Sequence, residues 1–174
     1  MASNRHLGRI IVLQTLYEAE FRQEAGDGDA RVEDILARNI QRYKAMVDDQ
    51  EFIRRLVMGI SAETAKLDET LQPLAPEWPI DQIARMDRTI LHIGLYELQR
   101  GNDVPPKVVI NEAVELAKAF GGDNSSKFVN GVLGTYYRQN IEPKEPAKKA
   151  TSCRNRQMAQ TKFPVARNSV QHHC

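Results

Sequence analysis

Three basic side chains in the first ten residues, Arg5, His6 and Arg9, and a polar turn at residues 121–128 that carries Lys127 and Phe128 are the groups whose types and spacing could do chemistry. Cationic side chains in the opening turns of a helix oppose the favourable sign of its dipole, so helix stability does not explain them. Free amides at a helix start, together with arginine forks, suit a phosphate or another anion. The competing reading is two solvated arginines. The turn supplies backbone amides, small hydroxyls, Lys127 and one aromatic ring able to stack on an unpaired base, the usual mode of single-stranded RNA recognition. Phe128 either enters the core or stands beside the exposed amides of the turn.

Catalytic arrangements are not found. The acidic clusters Glu33–Asp34 and Asp48, Asp49, Glu51 fall at helix starts, where carboxylates complement the dipole and cap free amides. His6, His92, His172 and His173 include no Glu-flanked helical pair. Cys153 and Cys174 both lie in a polar C-terminal stretch, which gives neither a disulfide framework nor paired metal-ligand spacing. Gly121 and Gly122 are followed by no glycine-lysine-serine arrangement and follow no strand, so a phosphate-cradling loop is absent. The chain is therefore expected to have no catalytic residues, no metal and no cofactor, and to act by binding.

The elements that position these groups read as helices. After Asn4, Leu7, Ile10, Leu13, Leu16, Tyr17 and Phe21 recur at helical spacing until Gly26 and Gly28. Val32, Ile35, Leu36, Ile40, Tyr43 and Val47 predict a second helix, and Phe52 through Leu71 a longer third. Pro73, Pro76 and Pro79 bracket Trp78 and mark a boundary between two helical subdomains, about 1–72 and 80–140. Ile80 and Ile83 suggest a short helix. Asp87 is placed to cap a run over 88–100 that is apolar on several sides and should be central. Pro106 opens the next helix, whose face is Val109, Ala113, Leu116, Ala117 and Phe120. Gly121 and Gly122 stop it, since glycine tolerates the left-handed conformation that commonly closes helices. Asn124 or Ser125 then caps a last helix over about 126–138. In that helix Gly131 and Gly134 predict close approach of another backbone. No hairpin signal joins two alternating runs, so the fold class is all-α, a two-subdomain bundle of about seven helices.

Residues 141–174 hold seven Lys or Arg and two Glu, a balance of +5, which leaves 17 basic and 21 acidic residues, −4, in the first 140. The tail shows no periodicity and is expected to be basic and disordered, with a lineage-specific and an artefactual extension both open. The body is mildly acidic, so a nucleic-acid site on it must be a local patch. No apolar run approaches the roughly 20 residues needed to span a bilayer, and the N-terminus lacks a secretory pattern; the expected location is cytoplasmic, with no membrane partner. Apolar helix faces serve a core or a homodimer equally, so a homodimer of the free protein stays open.

Over roughly residues 4–139 the chain resembles the NusB family of transcription antitermination factors. The likeness is carried by ILHIGLYEL at 90–98, by DVPPKVVINEAVELAKAFG and SSKFVNGVLG between 103 and 134, and by LQTLYEAEF near the N-terminus. The resemblance implies a non-enzymatic protein that pairs with the ribosomal protein and elongation factor NusE and binds boxA RNA of nascent ribosomal RNA transcripts. It would thereby join an RNA polymerase elongation complex indirectly, supporting read-through and rRNA maturation. It also implies RNA contacts at Arg5, His6, Arg9, Asn124, Lys127 and Phe128, and partner contacts at Tyr17, Asp81 and Asp87, where acids suit a basic partner. For those acids helix capping is the alternative. The N-terminal segment has only two arginines around Leu7 and Gly8, a sparser run than the family pattern, which implies weaker intrinsic RNA affinity that the basic tail could offset. A purely protein-binding adaptor, or an accessory domain of an RNA-modifying system, are the rival readings.

Overall fold

The apolar periodicities close into helices where the sequence places them. The computed structural model describes residues 4–101 and 104–142. Among these are six α-helices, two 3-10 turns and no strand: α1 Asn4–Glu24, α2 Val32–Tyr43, α3 Gln50–Leu71, α4 Arg85–Arg100, α5 Pro106–Phe120 and α6 Ser125–Asn140. The 3-10 turns, Gln72–Leu74 and Ile80–Gln82, occupy the proline-rich connection, so the short helix expected near Ile80 is a single tight turn. The described residues belong to one unit that ends at Glu142. Cys153, Cys174, His172, His173 and the rest of the tail from 143 lie outside the described residues.

α4 is the central element. Residues 89–98 are buried without interruption, and the helix packs against α1, α3, α5 and α6. A helix apolar on every side buries on every side. It begins at Arg85 rather than Arg88, with Ala84 at the N-cap position, so Asp87 lies within the first turn instead of capping it. Gly101 closes it in the left-handed conformation, φ 55°. Two glycines permit close approach around α4. A Cβ on Gly94 would meet Leu133 Cδ1 at 2.6 Å, and one on Gly59 would collide with the Tyr96 ring. The glycines expected to do this, Gly131 and Gly134, do not: nothing lies within 4 Å of a Cβ on Gly131, and only the Arg138 side chain approaches Gly134. The α4–α6 contact runs along the Val129, Val132 and Leu133 face, and Gly131 sits on the exposed one.

The other joints are local. Asp49 caps α3 by accepting from the Phe52 amide at 3.0 Å. Arg22 Nε donates to Asp27 Oδ2 at 2.8 Å across the turn after α1, which holds the Asp27 carboxyl below the usual carboxylate range and the Arg22 guanidinium above its own. Asn39 on α2 donates to the buried Thr15 hydroxyl on α1 at 2.9 Å. α3 carries a kink at Glu63 (φ −116°, ψ 16°). Next to it the Thr64 hydroxyl bonds back to the Ile60 carbonyl at 3.0 Å, an arrangement that bends helices.

One joint involves full charges. Arg9 on α1 is 2% exposed and Glu97 on α4 is 5% exposed. The guanidinium grips the carboxylate with both arms, Nε to Oε2 at 2.8 Å and Nη2 to Oε1 at 2.7 Å, the bidentate geometry that makes such bonds strong. Nη1 reaches Glu112 Oε2 of α5 at 3.4 Å. Removing one partner strands a buried charge. Arg9→Ala or Glu97→Ala should each cost roughly 3–5 kcal/mol in urea unfolding, whereas the double replacement Arg9→Met with Glu97→Leu should cost much less than the sum. Single losses below about 1 kcal/mol would show that water reaches the pair.

Candidate nucleic-acid and partner interface

The N-terminal basic group sits on α1 over the start of α3 and the middle of α5. Arg5 is half-buried, its guanidinium carbon 5.5 Å from the centre of the Phe52 ring. His6 Nδ1 lies 2.8 Å from Glu112 Oε2. Arg9 does not share their exposure. Its fork, read in sequence as a phosphate holder, is occupied by Glu97 and Glu112 in the interior, and it also packs 5.3 Å from the Phe52 ring centre. The three side chains are thus one cluster with a buried and an accessible part. Gly8 lets α1 sit close to α3, since a Cβ there would meet Phe52 Cδ1 at 3.3 Å.

The 121–128 turn forms one wall of a cleft of about 440 Å³ lined by Asp87, Asn124, Ser125 and Phe128, with Trp78, Ile83 and Gly122 among the other residues. The opposite wall is the connection before α4 and the first turn of α4. Phe128 is half-buried: it packs against the core and shows its remaining surface to the cleft, so both placements open to it in sequence are partly realised. Asn124 occupies the N-cap position of α6 but its side chain makes no cap bond. Ser125 instead turns back, its hydroxyl accepting from the Gly122 amide at 2.8 Å. Gly121 is extended (φ −89°, ψ −175°), not left-handed. Glycine is needed there for space, because a Cβ would lie 2.6 Å from both the Ala117 carbonyl and the Ser125 hydroxyl. Lys127 is exposed on α6 and does not line the cleft.

Asp87 lines this cleft; its Oδ1 is buried without a hydrogen-bond partner, as are the Nε atoms of Arg85 and Arg88 in the same turn. A buried acceptor left unpaired is costly, so this turn of α4 holds its polar groups at some expense. Around it the first turn of α4 carries Arg85 and Arg88, which pair with Glu24 and Glu20 of α1. Arg85 also stacks on Tyr17 at 5.6 Å and on Phe21 at 5.4 Å. Tyr17 is half-buried and Phe21 is 54% exposed. Asp81 is exposed on the 3-10 turn beside Gln82, a cleft residue. Structure therefore brings Asp87, Asn124 and Phe128 together, and sets Tyr17 beside the α4 start through Arg85. Arg5 and His6 form a separate cluster.

Two residues of this surface escaped the sequence reading. Trp78 is 53% exposed at the cleft; its bracketing prolines signalled a connection and hid its role as a wall. Arg85 fell before the helix start assigned to 88. The signal available was a large aromatic in a polar connection, which exposes apolar area that a lone monomer gains nothing by showing.

The NusB family model matches residues 6–138. A transcription antitermination protein NusB from Chloroflexus aggregans is 41% identical over 147 residues, 83% of this chain and 94% of the relative. One from Roseiflexus castenholzii is 42% identical over 137 residues, 78% of this chain and 92% of the relative. Among solved structures, NusB of T. maritima aligns with a TM-score of 0.70 and 31% identity, covering 80% of this chain and 94% of that one. A structure of the antitermination factors NusB and NusE in complex with double-stranded RNA shares the fold, with a TM-score of 0.68 at 23% identity. With its helix order, its central α4 and these matches over most of its length, the chain belongs to the NusB family.

Proposed function

We propose that the protein is a non-enzymatic, RNA-binding transcription antitermination factor that pairs with the ribosomal protein NusE. Together they bind boxA RNA of nascent ribosomal RNA transcripts, supporting read-through and rRNA maturation. It works in the cytoplasm and joins the RNA polymerase elongation complex through these contacts. Among the described residues no helix is long and apolar enough to cross a membrane. The name shared by the relatives, transcription antitermination protein, supports the reading.

The observation that carries it is the cleft that brings the Asp87 carboxylate together with an aromatic ring and the uncapped Asn124 side chain. A basic partner meets the negative charge of Asp87, with Asp81 adding to the acidic field and Tyr17 and Phe21 to the apolar contact. RNA then meets Phe128 as a stacking surface, Asn124 and Lys127 as polar contacts, and Arg5 and His6 at the start of α1. Arg9 is a positioning residue in this reading: it fixes the turn of α1 from which Arg5 and His6 project. An acidic body with small basic patches binds RNA weakly alone, so the site works as half of a heterodimeric surface.

Titration of boxA-type and scrambled RNA, with and without NusE, should show a preference for boxA that the partner strengthens. Equal weak binding to both, unchanged by the partner, contradicts the reading and favours a protein-only adaptor. Phe128→Ala should weaken RNA binding by roughly 1–3 kcal/mol while the dependence of affinity on salt keeps its slope. Asp87→Asn should weaken NusE binding about tenfold or more with an unchanged melting temperature, since it removes charge and keeps shape. An unaltered NusE affinity would remove Asp87 from the interface.

A further inference from the structure

The Phe52 ring is buried, 3% exposed, and three guanidinium groups converge on it: Arg5 at 5.5 Å, Arg9 at 5.3 Å and Arg55 at 6.0 Å from the ring centre. Their charges are not treated alike. Arg9 is neutralised by Glu97 and Glu112. Among the described residues no carboxylate forms an ion pair with Arg5 or Arg55. The acids nearest in sequence are engaged otherwise: Asp48 accepts from Asn4, and Asp49 caps α3. Glu51 lies one turn before Arg55 and makes no ion pair with it. Two cations without a carboxylate partner, one from α1 and one from α3, therefore meet at one ring, on a body whose first 140 residues carry a net −4.

Stacking on a ring face orients a guanidinium while leaving its N–H edges outward, so the ring pre-organises both forks. Arg55 is exposed and Arg5 half-exposed, so those edges reach solvent. Like charges so placed, without a carboxylate between them, await an anion with more than one charge along its length. Building on the proposed RNA-binding role, we propose that Arg55, which shares the Phe52 ring with Arg5, binds a second phosphate of the RNA backbone. The patch thus draws on two helices rather than on the N-terminal segment alone, which offsets the sparse arginine run at residues 5–9. No sequence spacing reveals it, because positions 5 and 55 meet only through the α1–α3 contact.

The test is the salt dependence of RNA affinity of the full chain with NusE, for wild type, Arg55→Gln, Arg55→Lys and Lys66→Gln, on boxA and scrambled RNA. Lys66 is an exposed cation three turns further along α3. Arg55→Gln should lower the slope of log affinity against log salt by about 0.7, roughly a fivefold loss near 0.1 M salt, on both RNAs. Arg55→Lys should keep the slope, and Lys66→Gln should leave slope and affinity unchanged. A wild-type slope in Arg55→Gln, whether or not its melting temperature falls, overturns the assignment and leaves Arg55 as packing on Phe52. An equal loss in Lys66→Gln overturns it as well, since any surface cation would then serve. Failure of the functional reading is separable: wild type would show no boxA preference, while the slope comparison on scrambled RNA still decides Arg55. Absence of any RNA binding by wild type would overturn both.

Discussion

The buried grip of Arg9 on Glu97 is the constraint around which the two faces of the molecule are arranged. An ion pair in the interior adds little net stability over an apolar pair, because desolvation offsets most of the attraction. Its effect is on alternatives. Any rotation or slide of α1 against α4 strands a carboxylate among Leu95, Leu98 and the other buried side chains of α4, and an unpaired buried charge is far costlier than a misplaced methyl. With Glu112 joining from α5, three helices are locked in one register. The side chains one turn earlier on α1 inherit that register: His6 meets Glu112, and Arg5 lies on the Phe52 ring.

α4 extends the same logic to the other face. Its last buried turn holds Glu97, while its first turn carries Arg85, Asp87 and Arg88, which knit α1 to the cleft wall. A helix buried along ten successive residues cannot tilt to suit one site without disturbing the other. The acids at the start of α4 and the N-terminal cations are therefore presented by a rigid frame.

Much of this was legible in residue order, and the misses share a cause. Helical periodicity located all six helices, and the apolar run at 90–98 announced the central one. Periodicity reports which face is apolar but not what lies opposite it, so Arg9 read as a surface cation although Glu97, an acid inside a buried run, required a partner somewhere. The glycines show the same limit. Gly131 and Gly134 looked like packing sites, yet the close approaches fall at Gly59 and Gly94, whose neighbours Tyr96 and Leu133 are 37 and 39 residues away in sequence. Gly121 was placed correctly at a helix end for a reason that differs, space rather than a left-handed turn. Asp87 looked like a cap because the helix start was set three residues late; with the start at Arg85 it lies in the first turn and lines the cleft.

In the proposed function one frame presents a partner face around Asp87 and an RNA face at the α1 start and the 121–128 turn, the two adjoining at the cleft. Amide hydrogen exchange on the full chain, with NusE and then boxA RNA added in turn, tests it most directly. The first amides of α1 lack intrahelical partners and exchange readily when free. NusE should protect residues 80–88 and the 17–21 segment of α1, and RNA should add protection at the α1 start and at 122–128. RNA protection confined to other parts of the described chain, with these segments unchanged, would contradict the account.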